Sequence, residues 1–188
     1  MTKEDINIFK NIPTVTTERL ILRKIRMQDI YDVYDYGSDP EVSKFLLWYP
    51  HPDLGYTRTY LRQLMQRYKR GEFYDWGVVI NNKMIGTCGF TSFDLANNSA
   101  EIGYVLNRRF WHKGIGYEAA SRVLRFGFED LKLNRIEVRY IAENRASEAL
   151  AIKLGFKTEG VLRSAILCKG RYRDLGVASI TREEYLST

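Results

Sequence analysis

The stretch RRFWHKGIGYEA, Arg108 to Ala119, holds the residues in this sequence best suited to chemistry. Gly114 and Gly116 stand between a strand-like apolar run and a helix-like one. The first amides of a helix have no partner inside it, and the aligned peptide dipoles leave that end partly positive. A glycine loop opening onto such an end lets backbone N–H groups close around a phosphate. An ordinary turn asks for the same glycines, so the pair alone leaves a turn and a phosphate seat both open. Gly114-Ile115-Gly116-Tyr117-Glu118-Ala119 also matches G-x-G-x-x-A, the dinucleotide fingerprint. That fingerprint sits in a tight turn directly after a strand, whereas eight residues, Asn107 to Gly114, separate Leu106 from Ile115. A Walker loop is excluded because no Gly-Lys-Ser/Thr follows.

The elements that must position this loop read as one mixed α/β sheet. Glu18–Ile25 predicts a first strand, and Asp29–Tyr36 a short helix stopped by Gly37. Asp39 and Pro40 suit the N-cap and first position of another helix. Leu61, Leu64, Met65 and Tyr68 recur at helical spacing over Thr57–Arg70, before Gly71. Tyr74–Ile80 and Met84–Phe93 form a hairpin about Asn81-Asn82, and Ser99–Leu106 follows as a further strand. A helix covers Tyr117–Leu131, a strand Arg135–Ile141, and a helix Arg145–Leu154 closed by Gly155. Lys157–Ile166 and Arg173–Thr181 read as the last strands, with Leu167–Asp174 largely a loop.

Bulk properties narrow the class. A chain of 188 residues with 45% hydrophobic and 28% charged residues suits a single domain, residues 1–188, with 1–15 as an N-terminal extension. The net charge of +6 suits an anionic partner. Cys88 and Cys168 make no disulfide framework, and reduced thiols in the cytoplasm are the simpler reading. No membrane-length apolar run and no signal-like N-terminus stands out. His51 and His112 are not at metal-ligand spacing with each other or with either Cys, so no metal is expected.

The segment from Ala100 to Leu162 resembles the core of the GNAT acyltransferase superfamily, and is most similar to the branch containing the ribosomal-protein-alanine N-acetyltransferases. The Glu-bearing strand AEIGYVL, the W-x-x-G-x-G loop, ENRAS, KLGF and the final RD strand occur in order. The resemblance spans Thr16 to Leu186 and implies a GNAT fold: a mixed, mostly antiparallel sheet, splayed at its centre, with helices on both faces. It implies acetyl-coenzyme A as co-substrate, its diphosphate on the N–H groups of His112, Lys113, Gly114, Ile115, Gly116 and Tyr117. The pantetheine arm would run along Tyr104, Val105 and Leu106, with Asn144 reaching it. Trp111 replaces the Gln or Arg that commonly opens the loop, and Arg108, Arg109 and Lys113 are candidates to restore the charge.

The implied reaction is acetyl transfer from a thioester to a primary amine, by direct attack with both substrates bound. An α-amine, with a pKa of about 7.7–8.0, is partly neutral near pH 7.5, whereas a lysine amine at about 10.4 is neutral roughly once in a thousand. Glu101 is the candidate base through a water; a solvent-facing strand glutamate is its plain alternative. The tyrosine that many members carry seven residues after the asparagine is Ala151 here. Ser147 is the substitute the branch suggests for hydrogen-bonding the thiolate, set against ordinary helix-start polarity. Asn144 is equally an N-cap. Tyr31, Trp48 and Tyr49 belong either to the core or to the amine pocket. The expected acceptor is a protein N-terminus, with a small amine as the alternative; a homodimer is left open, and neither a membrane nor a nucleic-acid partner is implied. The competing class is an RNA-binding module, which charge and thirteen tyrosines suit loosely but no aromatic RNA-binding strand supports.

Overall fold

The computed structural model describes residues 12–71 and 74–187. Of the N-terminal extension expected over residues 1–15, residues 1–11 lie outside them. The strands are β1 (Val15–Thr16), β2 (Ile21–Arg23), β3 (Tyr74–Ile80), β4 (Lys83–Asp94), β5 (Ser99–Leu106), β6 (Arg135–Ile141), β7 (Lys157–Cys168) and β8 (Arg171–Thr181). The helices are α1 (Ile30–Gly37), α2 (Pro40–Ser43), α3 (Leu54–Arg70), α4 (Ile115–Arg125), α5 (Arg145–Lys153) and α6 (Arg182–Leu186). One sheet runs in the order β1-β2-β3-β4-β5-β6-β8-β7, antiparallel throughout except between β5 and β6.

Alternation along the strands decides which helices cover which face. Trp76 on β3 meets Phe126 edge-on at 5.2 Å, so the chain after α4 packs on that face. Asp75, one residue earlier, points to the face carrying α1 and α3, where the Tyr68 hydroxyl donates to the Asp75 carbonyl at 2.7 Å. Leu22, Val78, Ile85, Phe128 and Ile136 are fully buried between these layers.

The centre of the sheet is parted. β5 pairs with β6 only at Ser99–Arg135, Ala100–Ile136 and Glu101–Glu137. Beyond Glu101, β5 stays on β4 as far as Leu106, while β6 stays on β8 through Ile141. The split expected between these strands is therefore present.

Several local expectations are corrected. The first strand, expected over Glu18–Ile25, shortens to β2 at Ile21–Arg23 and is preceded by the short β1, because a turn closes from the Thr17 amide to the Leu20 carbonyl at 3.0 Å. Gly37 lies inside α1, where a Cβ would stand 3.0 Å from the His51 ring; the glycine serves close packing, and Ser38 caps the helix. α3 starts at Leu54, capped by Asp53, whose carboxylate accepts from the Tyr56 amide at 2.8 Å. The helix expected over Tyr117–Leu131 starts at Ile115 and widens into a π turn at Phe126–Asp130, which turns both Phe126 and Phe128 into the core. Of the loop expected over Leu167–Asp174, β7 takes Leu167 and Cys168 and β8 starts at Arg171; Cys168 is buried, with its thiol facing the Leu46 carbonyl at 3.5 Å. α6 carried no apolar period to reveal it; its capping box, Thr181 with Glu184, is the signal present in the sequence. Among the described residues no helix is long and apolar enough to cross a membrane, and no group of three metal-binding side chains occurs.

Candidate active site

The loop after β5 is built from its own hydrogen bonds. The Asn107 amide donates to the Ile85 carbonyl at 2.7 Å, and its side chain accepts from the Arg109 amide at 3.0 Å. The Trp111 indole donates to the Leu106 carbonyl at 2.8 Å, pinning the loop to the end of β5. His112 and Gly114 take left-handed backbone, with φ of 57° and 74°, and turn the chain into α4. The Glu118 amide bonds back to the Gly114 carbonyl at 3.0 Å, which leaves the amides of Ile115, Gly116 and Tyr117 ahead of the first helical bond. A Cβ on Gly116 would stand 3.4 Å from both Leu106 Cδ1 and Leu150 Cδ2, so a single carbon fits and a longer side chain would enter the space between them.

Charge at the loop differs from the expectation. Arg108 is paired with Asp39 at 3.1 Å and Arg109 with Asp35 at 2.9 Å, so both cations are committed to carboxylates. Lys113 is exposed, with its ammonium over the Phe110 ring at 5.6 Å, and does not line the cavity described next. Arg19 stands beside the loop instead. It donates to the Lys113 carbonyl at 3.1 Å and pairs with Glu118 at 2.6 Å. Nothing near Arg19 in the sequence marks it, since the contact spans 94 residues.

A cavity of about 510 Å³ opens between this loop, β5 and α5. Tyr104, Val105, Leu106, Trp111, His112, Gly114, Ile115, Gly116, Tyr117, Asn144 and Ser147, eleven of the expected site residues, line it together. Ala146, Ala149, Leu150 and Lys153 extend the α5 wall; they stand at i, i+3, i+4 and i+7 from Ala146, and helix periodicity could have found them. Glu41, Val42, Lys44, Phe45 and Leu46 complete the lining from the other side, with no local sequence signal. Tyr31, Trp48 and Tyr49, expected either in the core or in an amine pocket, stand apart from this cavity. Tyr31 and Tyr49 are 72% and 64% exposed, Trp48 packs against His51 at 5.5 Å, and none of the three lines the cavity.

Inside, the Tyr104 hydroxyl lies 2.9 Å from Ser147 Oγ and 3.2 Å from the Ser147 carbonyl. Asn144 caps α5, its Oδ1 accepting from the Ser147 amide at 3.2 Å. Burial pushes the Tyr104 hydroxyl up to about 12, against a smaller opposing effect of Ser147, so it stays protonated at neutral pH. Sequence reading placed Tyr104 under the pantetheine arm; its pairing with Ser147 across 43 residues was not legible. Glu101 sits where β5 and β6 part, on the opposite face from Tyr104 and outside the cavity lining. Burial raises its carboxyl above the usual range, partly offset by Thr91 and by Arg139 at 3.8 Å.

Comparison with known proteins converges with this geometry. The family profile described as an acetyltransferase (GNAT) domain matches residues 19–157. The chain belongs to the GNAT family. Its relatives include the uncharacterized N-acetyltransferase p20 of Bacillus licheniformis, 37% identical over 92% of this chain and 98% of that protein. They also include the [ribosomal protein uS5]-alanine N-acetyltransferase of Escherichia coli, 25% identical over 93% and 95% of the two chains. Among solved structures, a GNAT-family acetyltransferase from Bacillus anthracis superposes with a TM-score of 0.81 at 27% identity, covering 91% of this chain and 99% of that one. This GNAT chain is thus an N-acetyltransferase. GNAT acetyltransferases use acetyl-coenzyme A, and the site fits it: a long cavity, a glycine entrance that a larger side chain would fill, and free helix amides at one end.

Proposed function

We propose that this GNAT enzyme acetylates the N-terminal α-amine of a protein, with a ribosomal protein as the first acceptor to test. Support for the acceptor comes from the Escherichia coli relative, which by its name acts on an alanine of ribosomal protein uS5. A ribosomal-protein acceptor places the reaction in the cytoplasm. Support for the chemistry comes from one observation above all: β5 loses β6 after Glu101, so the β5 amides beyond it that point away from β4 face the split instead of a neighbouring strand.

In this reading the amides of Ile115, Gly116 and Tyr117 hold the coenzyme diphosphate. When bound, the coenzyme supplies an acetyl thioester. The Val105 or Leu106 amide donates to the thioester oxygen as it gains charge. Glu101 takes the proton of the incoming amine through a water at its carboxylate. The Tyr104–Ser147 hydroxyl pair donates toward the leaving sulfur, in place of the tyrosine that Ala151 cannot provide. An α-amine near a pKa of about 8 needs only this modest base, whereas a lysine amine at about 10.4 needs a stronger one.

The deciding experiment is an acceptor screen with labelled acetyl-coenzyme A, comparing N-terminal hexapeptides, N-terminally blocked lysine peptides and small amines. Free N-termini should lead by at least 100-fold in kcat/KM. Small amines outpacing every peptide would reject the acceptor and keep the enzyme class.

A further inference from the structure

A row of alternating charge crosses the sheet where the split begins. Glu101 of β5 and Glu137 of β6 form the last of the three parallel pairs, so both side chains stand on one face. Arg135 and Arg139, two residues to either side of Glu137, share that face. Arg139 Nε lies 2.8 Å from Glu137 Oε1 and 3.8 Å from Glu101 Oε2. The other Glu137 oxygen lies 3.4 Å from the Arg135 guanidinium, which closes on Glu159 of β7 at 2.6 Å. The order is therefore Glu101, Arg139, Glu137, Arg135, Glu159, and its loosest contact is the one at Glu101.

That looseness bears on a base. Burial disfavours the charged form of Glu101 and raises its carboxyl, the Thr91 hydroxyl and the Arg139 cation oppose the rise, and the Glu137 charge adds to it. The Glu101 side chain keeps 26% of its surface, so water reaches it. A guanidinium in direct contact typically lowers a carboxyl by about 1–3 pH units, which would leave Glu101 a poor acceptor of an amine proton. With no cation at all, burial and Glu137 together would keep it protonated further up the pH scale. Arg139 stands between these extremes: hydrogen-bonded to Glu137, it acts on Glu101 across 3.8 Å by charge alone.

We propose that Glu137 and Arg139 are positioning residues that set how readily Glu101 takes a proton: Glu137 holds the Arg139 guanidinium back from Glu101 and leaves it only partly countered at the edge of the split. The proposal rests on the acetyltransferase reading in which Glu101 is the base, and it explains how one carboxylate can be ionised near neutral pH and still accept a proton from an α-amine.

The test uses the full chain. Titration of the Glu101 carboxyl carbon by NMR judges the proposal. Its midpoint should rise by about half a pH unit or more in Arg139→Gln, and fall by about as much in Glu137→Gln, which frees the cation for Glu101. Arg139→Lys keeps the charge and should restore most of the change. Midpoints that stay in place, or that move in the same direction in Arg139→Gln and Glu137→Gln, overturn the proposal. The pH–rate profile with labelled acetyl-coenzyme A and an N-terminal alanyl hexapeptide judges the base separately, since its acid limb should follow the carboxyl in each variant. Midpoints that move as described beneath an unmoved acid limb uphold the tuning and remove Glu101 as the base. Should Glu137→Gln not fold, the contrast of Arg139→Gln with Arg139→Lys decides alone.

Discussion

Replacing Gly116 with leucine places a branched side chain at the entrance of α4 while leaving every charged group in place. Its first carbon has room, 3.4 Å from Leu106 Cδ1 and Leu150 Cδ2, and both of those residues line the cavity. The remaining carbons have nowhere to go but into that space. Gly116→Ala is the matched control, since it adds only the carbon that fits; inside a helix, alanine is favoured over glycine by about 1 kcal/mol. If the diphosphate rests on the amides of Ile115 to Tyr117, the leucine displaces it from at least two charge-assisted hydrogen bonds. Each is worth about 1.5–3 kcal/mol, so the loss is about 3–6 kcal/mol. At about 1.4 kcal/mol per factor of ten, coenzyme affinity should fall roughly 100- to 10,000-fold. Calorimetric titration of coenzyme A reads this directly, and thermal unfolding checks that the variant is folded. A folded Gly116→Leu protein that binds within threefold of the original would show that the phosphates sit elsewhere.

Removing either hydroxyl of the Tyr104–Ser147 pair, by Tyr104→Phe or Ser147→Ala, should lower kcat by about 10²-fold, with coenzyme affinity held within about threefold. Because the hydroxyls act as a unit, the double variant should be little worse than the worse single one; rapid-quench rates decide this, and additive losses would separate the two groups. Glu101→Gln should lower turnover about 10- to 100-fold at pH 7 and recover partly above pH 9, where the amine is already neutral. In the unaltered enzyme, activity should be lost as pH falls through the raised Glu101 pKa, because the ionised form is the base. A superimposable pH–rate profile for the variant would remove Glu101 from proton transfer. Burial lifts the Asp75 carboxyl from 3.8 to about 7, so its contribution to stability is complete below the unfolded value and lost as pH rises through the folded one. That difference amounts to no more than about 4 kcal/mol. Asp75→Asn should therefore lose less stability than the original between pH 5 and pH 8 in urea unfolding, and parallel pH curves would contradict the burial of this charge.

Much of the architecture was legible in local pattern. Alternation and the Asn81-Asn82 pair, both with positive φ, marked the β3–β4 hairpin. Gly71 and Gly155 marked helix ends, and both are left-handed in the structure. The motif order carried the family and with it the parted sheet. These features depend on residues close in sequence, where period and backbone preference act directly.

What the sequence by itself determined was the family, the loop that opens α4 and most of the lining of one cavity. Only the tertiary structure decided which groups meet across long separations. It placed Arg19 at the loop, took Arg108 and Arg109 away to Asp39 and Asp35, and brought Glu41, Val42, Lys44, Phe45 and Leu46 into the wall of the cavity. It joined Tyr104 to Ser147 and aligned Asp75 with Gly89 and Gly103 across three strands. The physical reason is that strand register and helix docking are set by the burial of the whole core, so a contact spanning 43 or 94 residues leaves no trace in the spacing of either partner's neighbours.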